Sequence, residues 1–351
     1  MQNLRIGIIG AGGAATNRHL PALKKISGVE TSVIWSRDPD KATAVAAQFG
    51  IPATADSWQE ITNSSELDAV IIATPPVLHL SATLRALDAG KHVLCQARMA
   101  RNLGEAQQML SAARKSDLVT ALYPPRPGLK GDRVMQRLLH EEQFVGRVHE
   151  VRVNGMAWFG EGWDAFIWDS DVVGVNMLTL GMWNEVVNRW LGPSVEVAAL
   201  TTIRQPKRQT KTGDSVEAGV PDSVVVAARL KCGASASYHF SGHVACPPKQ
   251  AIEIYGSSGT LFYDLFADEI RGASLSNPEL TSIPIPPEEE CFQDTDARFI
   301  RGIREGTPVL PDFEEGIRYM EFCEAVALSA KTGSAFSLPP QPRMDSWSHF
   351  S

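Results

Sequence analysis

Leu4-Arg5-Ile6-Gly7-Ile8-Ile9-Gly10-Ala11-Gly12-Gly13-Ala14-Ala15 is the stretch that decides the fold of this chain. A short apolar run ends in a cluster of glycines, and a helix-compatible segment from Ala14 to Lys25 follows. A strand, a tight glycine turn and a helix in that order predict the start of a dinucleotide-binding domain.

The glycine turn has the spacing Gly10-x-Gly12-x-x-Ala15, which matches the dinucleotide fingerprint with alanine in its third position. Gly10 permits the tight turn, Gly12 lets a pyrophosphate approach the main chain, and Ala15 lets helix and strand pack closely. The amino end of the helix offers free N–H groups and partial positive charge to phosphates. We therefore predict a cofactor site at the turn, formed by Gly10, Gly12, Gly13, Ala14 and Ala15.

The pattern of elements changes after the sequence Pro124-Pro125-Arg126-Pro127. Before it, strands and helices alternate, which predicts a doubly wound parallel sheet of the Rossmann type. After it, strands with alternating polarity predict an α+β domain with a mostly antiparallel, open sheet and helices. Because 351 residues exceed one ordinary core, we expect a dinucleotide-binding domain over 1–125 and a substrate-binding and oligomerisation domain over 126–351.

Charge and cysteine content exclude several classes of partner. The net charge of -7 argues against binding to nucleic acid or to an anionic membrane surface, and no apolar run is long enough to span a bilayer. The five cysteines are scattered, which predicts reduced thiols in a cytoplasmic protein without a disulfide framework. We expect a small-molecule substrate and no metal site.

Two further strand ends carry residues that suit a cofactor. After the strand at 29–36, Ser36 and Arg37 stand where an acidic residue would bind the ribose 2′-hydroxyl, so we favour NADP over NAD, although the adjacent Asp38 leaves NAD open. Thr74, Pro75 and Pro76 end the strand at 68–73, at the edge where open parallel sheets bind ligands. His79 follows; it either contacts the cofactor or packs the start of the next helix.

The chain resembles the Gfo/Idh/MocA family of NAD(P)-dependent oxidoreductases over nearly its whole length. The resemblance rests on Gly10-Ala-Gly-Gly, Ile34-Trp-Ser-Arg-Asp-Pro, Ala73-Thr-Pro-Pro with His79, Ala89-Gly-Lys-His-Val-Leu-Cys95, Gly181…Arg189-Trp-Leu-Gly192, Gly256-Ser-Ser-Gly-Thr260 and Glu324-Ala-Val…Ser329. It implies an N-terminal Rossmann domain and a C-terminal sheet whose open face often makes a dimer. It also implies hydride transfer at a carbon that bears oxygen, most often on a sugar or cyclitol.

The catalytic positions depart from the pattern of that family. Where the family normally has Glu-Lys-Pro, this chain has Gln96-Ala97-Arg98. Where the family has Asp-x-Gly-x-His, alignment on Gly181 places Thr179 and Trp183 at the aspartate and histidine positions. The lysine, aspartate and histidine of the common mechanism are therefore all absent.

This departure leaves the proton route open. Alcohol oxidation needs a base near the hydroxyl and carbonyl reduction needs an acid, and neither alanine nor tryptophan supplies one. The candidates for proton transfer are Tyr123, Asp169 with its neighbour Asp171, Thr179 and His239. Tyr123 could instead pack under the linker, and the aspartates could be solvated loop residues. His239, whose spacing to His243 would let both face the same way, could be structural. Thr179 can hydrogen-bond, but its hydroxyl titrates far from neutrality.

Substrate contacts are predicted from side-chain type and spacing. Gln96 and Arg98 would position the substrate or the nicotinamide, and a guanidinium suits an anionic substituent. Trp168 lies in an aromatic segment whose rings could stack on a sugar or a flat ring. Asn176 and Trp183 share a helical face with Thr179 by spacing and would form a neutral wall.

We therefore expect an NAD(P)-dependent oxidoreductase with a non-standard proton donor, acting on a carbohydrate-like or aromatic or cyclic hydroxy or keto compound. A lyase or glycoside-cleaving enzyme that oxidises its substrate transiently is one alternative. A catalytically silent ligand sensor on the same fold is another. A homo-oligomer, dimer or tetramer, is expected through the C-terminal sheet.

Overall fold

The computed structural model describes residues 3–123, 129–158, 165–209, 215–291 and 294–339. The chain divides into two compact units. The first comprises 1–127, 171–174 and 293–320, and the second comprises 128–170, 175–292 and 321–351. This partition differs from two contiguous domains because two later segments cluster with the N-terminal one. The expected boundary at 125/126 lies outside the described residues.

The first unit contains a six-stranded sheet whose neighbouring strands all run parallel, in the order β3-β2-β1-β4-β5-β6. Its strands are β1 (Leu4–Ile9), β2 (Val29–Trp35), β3 (Ala53–Thr54), β4 (Ala69–Ile72), β5 (His92–Gln96) and β6 (Thr120–Tyr123). The strand order reverses between β1 and β4, which is where open parallel sheets form a ligand crevice. The predicted doubly wound parallel sheet is confirmed.

The helices between these strands begin and end at residues suited to those positions. Asp38 caps one helix by accepting hydrogen bonds from the backbone N–H groups of Asp40 and Lys41, and the same helix ends at Gly50, whose φ is +71°. The helices are a π-helical turn (Ala15–His19), α1 (Leu20–Leu23), α2 (Pro39–Phe49), α3 (Trp58–Asn63), a 3₁₀ turn (Pro76–Leu78), α4 (His79–Asp88) and α5 (Leu103–Ala113).

The second unit contains a nine-stranded sheet in the order β16-β15-β14-β13-β7-β12-β11-β8-β17, with a separate two-stranded pair. The pairs within this sheet are antiparallel except β7 with β12. Its strands are β7 (Val148–Met156), β8 (Ser194–Thr202), β11 (Ser223–Leu230), β12 (Ser235–Ser241), β13 (Ala251–Gly256), β14 (Gly259–Asp264), β15 (Glu269–Ser274), β16 (Asn277–Ile283) and β17 (Phe336–Ser337), and the separate pair is β9 (Lys207–Gln209) with β10 (Ser215–Glu217). The mostly antiparallel sheet is thereby confirmed.

One face of this sheet is covered and the other is open. In β12, Ala236, Tyr238 and Phe240 are buried, whereas Ser235, Ser237 and His239 are exposed. The two-residue period of a strand places these sets on opposite faces. The helices after β6 and before β8 are α6 (Asp132–Gln136), a π-helical turn (Arg137–Glu141), a 3₁₀ turn (Ala165–Trp168), α7 (Ser170–Val173) and α8 (Leu180–Leu191).

The C-terminal helices are divided between the two units. They are a 3₁₀ turn (Pro287–Glu289), α9 (Thr295–Glu305) and α10 (Phe313–Thr332), of which α9 and the first residues of α10 cluster with the N-terminal segment. Phe299 and Ile300 of α9 pack in the same apolar core as Ile8 and Ile34 of the parallel sheet. Burial of these rings and branched chains explains why α9 belongs with a strand almost 300 residues earlier.

None of the helices in the described part of the chain is both long and apolar enough to cross a membrane. All five cysteines are free: Cys95 and Cys323 are buried, Cys291 is half-buried, and Cys232 and Cys246 are exposed.

Candidate functional site

The glycine turn after β1 has a backbone that only glycine adopts easily. Gly10 has a φ of +114°, and a Cβ added there would lie 2.6 Å from the carbonyl oxygen of Ala73 at the end of β4. A Cβ added at Gly12 would meet nothing within 4 Å, so the turn borders open space. This arrangement suits the close approach of a pyrophosphate to the main chain.

The sequence predicts a helix over Ala14 to Lys25, after the turn. In the structure this segment is not one regular helix. A π-helical turn over Ala15–His19 precedes α1, and the backbone N–H of Thr16 donates to the carbonyl of Gly12 at 3.0 Å. π-helical turns are rare and are frequently found at functional sites. Here the turn ends at His19, whose side chain is fully buried.

The end of β2 presents a cation beside a helix start. Asp38 is committed to capping α2, and the Ser36 hydroxyl accepts a hydrogen bond from the Asp38 N–H at 3.3 Å. Arg37 is exposed and has neither an ion-pair nor a hydrogen-bond partner among the described residues. Its guanidinium is therefore available to an anionic ligand.

The side chain of His79 contacts the backbone at the end of β4. The fully buried ring places Nε2 2.7 Å from the carbonyl oxygen of Thr74 and Nδ1 3.1 Å from that of Met99. Burial lowers the pKa of His79 and outweighs the two carbonyls, which favour its charged form. The Thr74 hydroxyl is itself buried and lacks a hydrogen-bond partner within the described residues. A nucleotide oxygen would satisfy that hydroxyl, so the residues present fit the expected cofactor.

The end of β5 holds the residues that replace the family's Glu-Lys-Pro. Gln96 accepts a hydrogen bond at Oε1 across 3.0 Å from Nε2 of His19, and Nδ1 of His19 lies 2.7 Å from a carboxylate oxygen of Asp296. Ala97 and Arg98 follow, joined by a cis peptide bond, and both are half-buried. The buried chain Asp296–His19–Gln96 thus reaches the carboxyl edge of the parallel sheet.

Tyr123 ends β6 next to Gln96, with which it pairs in register. Its ring is buried and meets the His19 ring edge-on, with centroids 4.6 Å apart. The guanidinium of Arg18 lies over the ring, 5.8 Å from its centroid.

These predicted cofactor and substrate residues lie at the carboxyl ends of neighbouring strands of one sheet. The turn at Gly10 to Ala15 follows β1, Ser36 and Arg37 follow β2, Thr74 to Pro76 follow β4, and Gln96 and Tyr123 end β5 and β6. Sequence distance separates them, and the parallel topology brings their ends to one edge. Their individual roles remain predictions.

The other predicted residues lie in the second unit, except Asp171, which belongs to the segment 171–174 that clusters with the first unit. Asn176 precedes α8, because Leu178 has a left-handed φ of +49° and the helix begins only at Leu180. The prediction that Asn176 shares a helical face with Thr179 and Trp183 was therefore wrong. Thr179 is half-buried at the N-cap position, and Trp183 is buried within the helix.

Trp168 is 3% exposed, and the guanidinium of Arg208 covers its ring at 4.0 Å from the centroid. Asp169 and Asp171 are both exposed, but Asp169 clusters with the second unit and Asp171 with the first. Asp171 also accepts a hydrogen bond at its backbone oxygen from Arg101 at 3.2 Å.

His239 lies on the open face of the sheet in β12, in register with Val225 and Asn154, whereas His243 follows the strand and packs its ring 5.4 Å from the ring of Trp158. Side chains alternate between the two faces only within a strand, so the spacing does not fix the direction of His243 beyond the strand end. The described residues contain no cluster of three potential metal ligands among histidine, cysteine, aspartate and glutamate.

Asp296 is the functional candidate that sequence reasoning missed. It lies 277 positions from His19 and has no motif around it. Nothing in the sequence around His19 indicates a partner on a distant helix.

Comparison with known proteins supports this fold. Residues 4–123 match the family described as "Oxidoreductase family, NAD-binding Rossmann fold", and residues 134–262 match "GFO/IDH/MocA C-terminal domain". D-xylose 1-dehydrogenase (NADP(+)) 2 of Haloferax volcanii is 25% identical over 344 residues, which cover 95% of this chain and 100% of that protein. For 1,5-anhydro-D-fructose reductase of Ensifer adhaerens the identity is 25% over 342 residues, 94% of this chain and 97% of that protein.

Solved structures show the same architecture. Levoglucosan dehydrogenase in complex with NADH and L-sorbose superposes with a TM-score of 0.85 at 20% identity, over 96% of this chain and 99% of that one. At this level of identity the likeness establishes the shared fold.

Proposed function

Because the chain belongs to the Gfo/Idh/MocA family of oxidoreductases, we propose that it transfers a hydride between a nicotinamide nucleotide and an oxygen-bearing carbon of a sugar-like compound. The proposal rests on the turn at Gly10 and Gly12, which is open to a pyrophosphate. It rests also on the buried hydroxyl of Thr74, which has no hydrogen-bond partner among the described residues. Relatives named for D-xylose and for 1,5-anhydro-D-fructose support the substrate class.

NADP is the proposed cofactor, because the end of β2 offers positive charge to a 2′-phosphate. Arg37 is exposed and unpaired among the described residues, and both backbone hydrogen bonds that Asp38 accepts at the start of α2 fall on its Oδ1 atom. A 2′-phosphate needs a hydrogen-bond donor, and Arg37 supplies one. The relative from Haloferax volcanii, whose name includes NADP(+), agrees with this choice.

The mechanism needs a proton donor or acceptor other than those of the family pattern. When bound, the nicotinamide supplies or accepts the hydride. Gln96, at the end of β5, orients the substrate oxygen or the nicotinamide by hydrogen bonding. Tyr123, at the end of β6 with its ring against His19 and beneath Arg18, is the proposed proton-transfer group, since cationic neighbours stabilise a phenolate.

Titration with NADPH and with NADH tests the proposal, followed by energy transfer from tryptophan to the reduced nicotinamide. We expect saturable binding of both and tighter binding of NADPH. Arg37→Ala should weaken NADPH binding about 10- to 100-fold, as expected for the loss of a hydrogen bond to a charged group, and leave NADH unchanged. Lys115→Ala is the matched control, because it removes an exposed cation after α5, at the amino ends of the strands. The absence of binding by either nucleotide, in protein free of prebound nucleotide, would refute the proposed function.

Self-association through the open sheet of the second unit is proposed as well. Leu200 of β8 and Val225 of β11 pair in register, and they are 74% and 43% exposed. Adjacent exposed apolar side chains on a flat sheet favour contact with a second copy.

A ligand sensor on the same fold is the second candidate, because positions 97, 179 and 183 lack the family's ionisable groups. It predicts nucleotide binding without turnover across a panel of aldoses, anhydro sugars and aryl ketones. Oxidation of NADPH by any member of that panel would exclude it.

A further inference from the structure

Both ring nitrogens of the buried His19 face oxygen atoms that accept hydrogen bonds. Its Nδ1 faces a carboxylate oxygen of Asp296 at 2.7 Å, and its Nε2 faces Oε1 of Gln96 at 3.0 Å. Asp296 is buried and lies in the first turn of α9. An ionised carboxylate only accepts hydrogen bonds, so beside an ionised Asp296 the Nδ1 atom carries a proton.

The proton on Nε2 then decides how Gln96 can be arranged. A charged ring carries a second proton at Nε2 and donates it to Oε1 of Gln96, as the observed contact requires. A neutral ring has only a lone pair at Nε2 and must accept from the amide NH₂ group instead. The oxygen and nitrogen of a carboxamide exchange places by a half-turn without changing the shape of the side chain.

The charge of the His19 ring therefore decides which atom of the Gln96 amide, the oxygen or the nitrogen, faces away from the ring. Gln96 is 8% exposed at the carboxyl end of β5, and the described residues supply no hydrogen-bond partner for its Nε2. That end is available to a ligand at the same edge of the sheet as the Gly10 turn.

We propose that His19 is a positioning residue: with the ring charged Gln96 presents a hydrogen-bond donor to the bound ligand, and with the ring neutral it presents an acceptor. The donor form suits the carbonyl or hydroxyl oxygen of a substrate or of the nicotinamide carboxamide. In this way a buried group without ligand contact controls the polarity of the position where the family places a glutamate.

Around the ring, the ionisable groups recorded in the described part of the chain are Asp296 from α9 and Tyr123 from β6, with Arg18 above the tyrosine ring. The switch is local, since it needs rotation of one amide and no movement of the backbone.

Nuclear magnetic resonance of protein isotope-labelled at histidine and glutamine side chains tests the coupling without any ligand. In a pH titration, we expect any change of charge at the ring nitrogens of His19 to be accompanied by a shift of the side-chain NH₂ signals of Gln96 with the same midpoint. At the upper end the ring should hold its proton on Nδ1. Gln96 signals that stay constant while His19 titrates, or a neutral ring protonated on Nε2, would overturn the proposal.

Two isosteric variants sharpen the test because neither removes the buried histidine. Gln96→Glu can only accept a hydrogen bond, so the ring should stay doubly protonated to higher pH than in the wild type. Gln96→Met cannot take part in the exchange, so any ligand effect linked to His19 should vanish. A ring that titrates identically in the wild type and in Gln96→Glu would contradict the coupling.

The consequence for ligands rests on the proposed function and is measured separately. The dissociation constant of NADPH at about pH 6 and about pH 8 should change by about 2- to 10-fold in the wild type, the worth of one hydrogen bond, and by less in Gln96→Met. If NADPH fails to bind at any pH, the proposed function fails and the resonance data still decide the coupling. If NADPH binds and the Gln96 signals ignore His19, only this inference fails.

Discussion

Arg208 lies over the ring of Trp168 in the second unit, with its guanidinium carbon 4.0 Å from the centroid of the ring. The same guanidinium donates to a carboxylate oxygen of the fully buried Asp222 at 2.6 Å. Asp222 also accepts hydrogen bonds from two backbone N–H groups, those of Arg204 and Gln205. The cation therefore joins an aromatic ring predicted to bind substrate to the carboxylate that shapes the loop after β8.

Arg208→Met should destabilise the protein by about 3 kcal/mol, because it leaves the Asp222 carboxylate buried without its cation. The free energy of unfolding from urea denaturation measures this. Asp222→Asn in the same background should recover about 1 kcal/mol or more, since the amide carries no charge. If the double variant is as unstable as the sum of the single changes, the pair is not coupled.

Gly12→Ala should separate cofactor binding from folding. The added methyl group meets nothing within 4 Å, so the free energy of unfolding should stay within about 0.5 kcal/mol of the wild type. NADPH affinity should nevertheless fall at least about tenfold, because the methyl group occupies the space of the pyrophosphate. Gly10→Ala is the comparison, since its φ of +114° and its contact with Ala73 predict a loss of both stability and binding. Full NADPH affinity in Gly12→Ala would place the cofactor elsewhere.

Burial of His79 makes stability depend on pH. Burial lowers its pKa from the ordinary value of 6.5, so below that pH the unfolded chain binds a proton that the folded chain does not. The contribution is complete above pH 6.5 and is lost as the pH falls towards the lowered pKa of the folded state. The slope is at most about 1.4 kcal/mol per pH unit for one histidine.

His79→Gln keeps a donor for the Thr74 carbonyl and cannot titrate. Urea unfolding measured between about pH 5 and about pH 7 should therefore show a shallower slope than the wild type. His140→Gln, at an exposed histidine, is the control. Equal slopes in the wild type and in His79→Gln would show that His79 is not held neutral by burial.

Thiol alkylation should follow burial. Burial raises the pKa of the Cys95 thiol above its usual range, so iodoacetamide at about pH 8 should leave Cys95 and Cys323 unmodified in the native protein. Cys232 and Cys246 are exposed and should react. Mass spectrometry of proteolytic peptides measures the modification, and protein unfolded in guanidinium should be labelled at all five cysteines. Rapid labelling of Cys95 in the native state would contradict its placement in β5.

Leu200→Glu should shift the protein towards the monomer, because it places a charge in the apolar patch of the open sheet face. Sedimentation velocity measures the oligomeric state. Leu275→Glu provides a matched change at a more exposed leucine in the β15–β16 turn, and it should leave the state unchanged. A Leu200→Glu variant with wild-type sedimentation would move the interface away from this face.

The parallel sheet and the cofactor turn could be predicted from sequence because local rules decide them. The glycines at 10 and 12 stand between a β-branched strand and a helix, and only glycine meets the backbone requirement at the first of them. The alternation of strand and helix predicted parallel pairing, and it too is a local pattern in the sequence. The extent of α8 could not be predicted in this way, because the left-handed backbone of Leu178 delays the helix to Leu180 at residues whose types permit an earlier start.

The sequence by itself determined the Rossmann topology, the glycine turn and the absence of the family's three ionisable groups, since each depends on residue type at close spacing. Only the tertiary structure decided that Asp296 reaches His19, that Arg208 covers Trp168, and that α9 joins the first unit. The physical reason is that burial of apolar surface brings distant elements together, and buried polar groups must then find partners among whatever side chains packing places beside them.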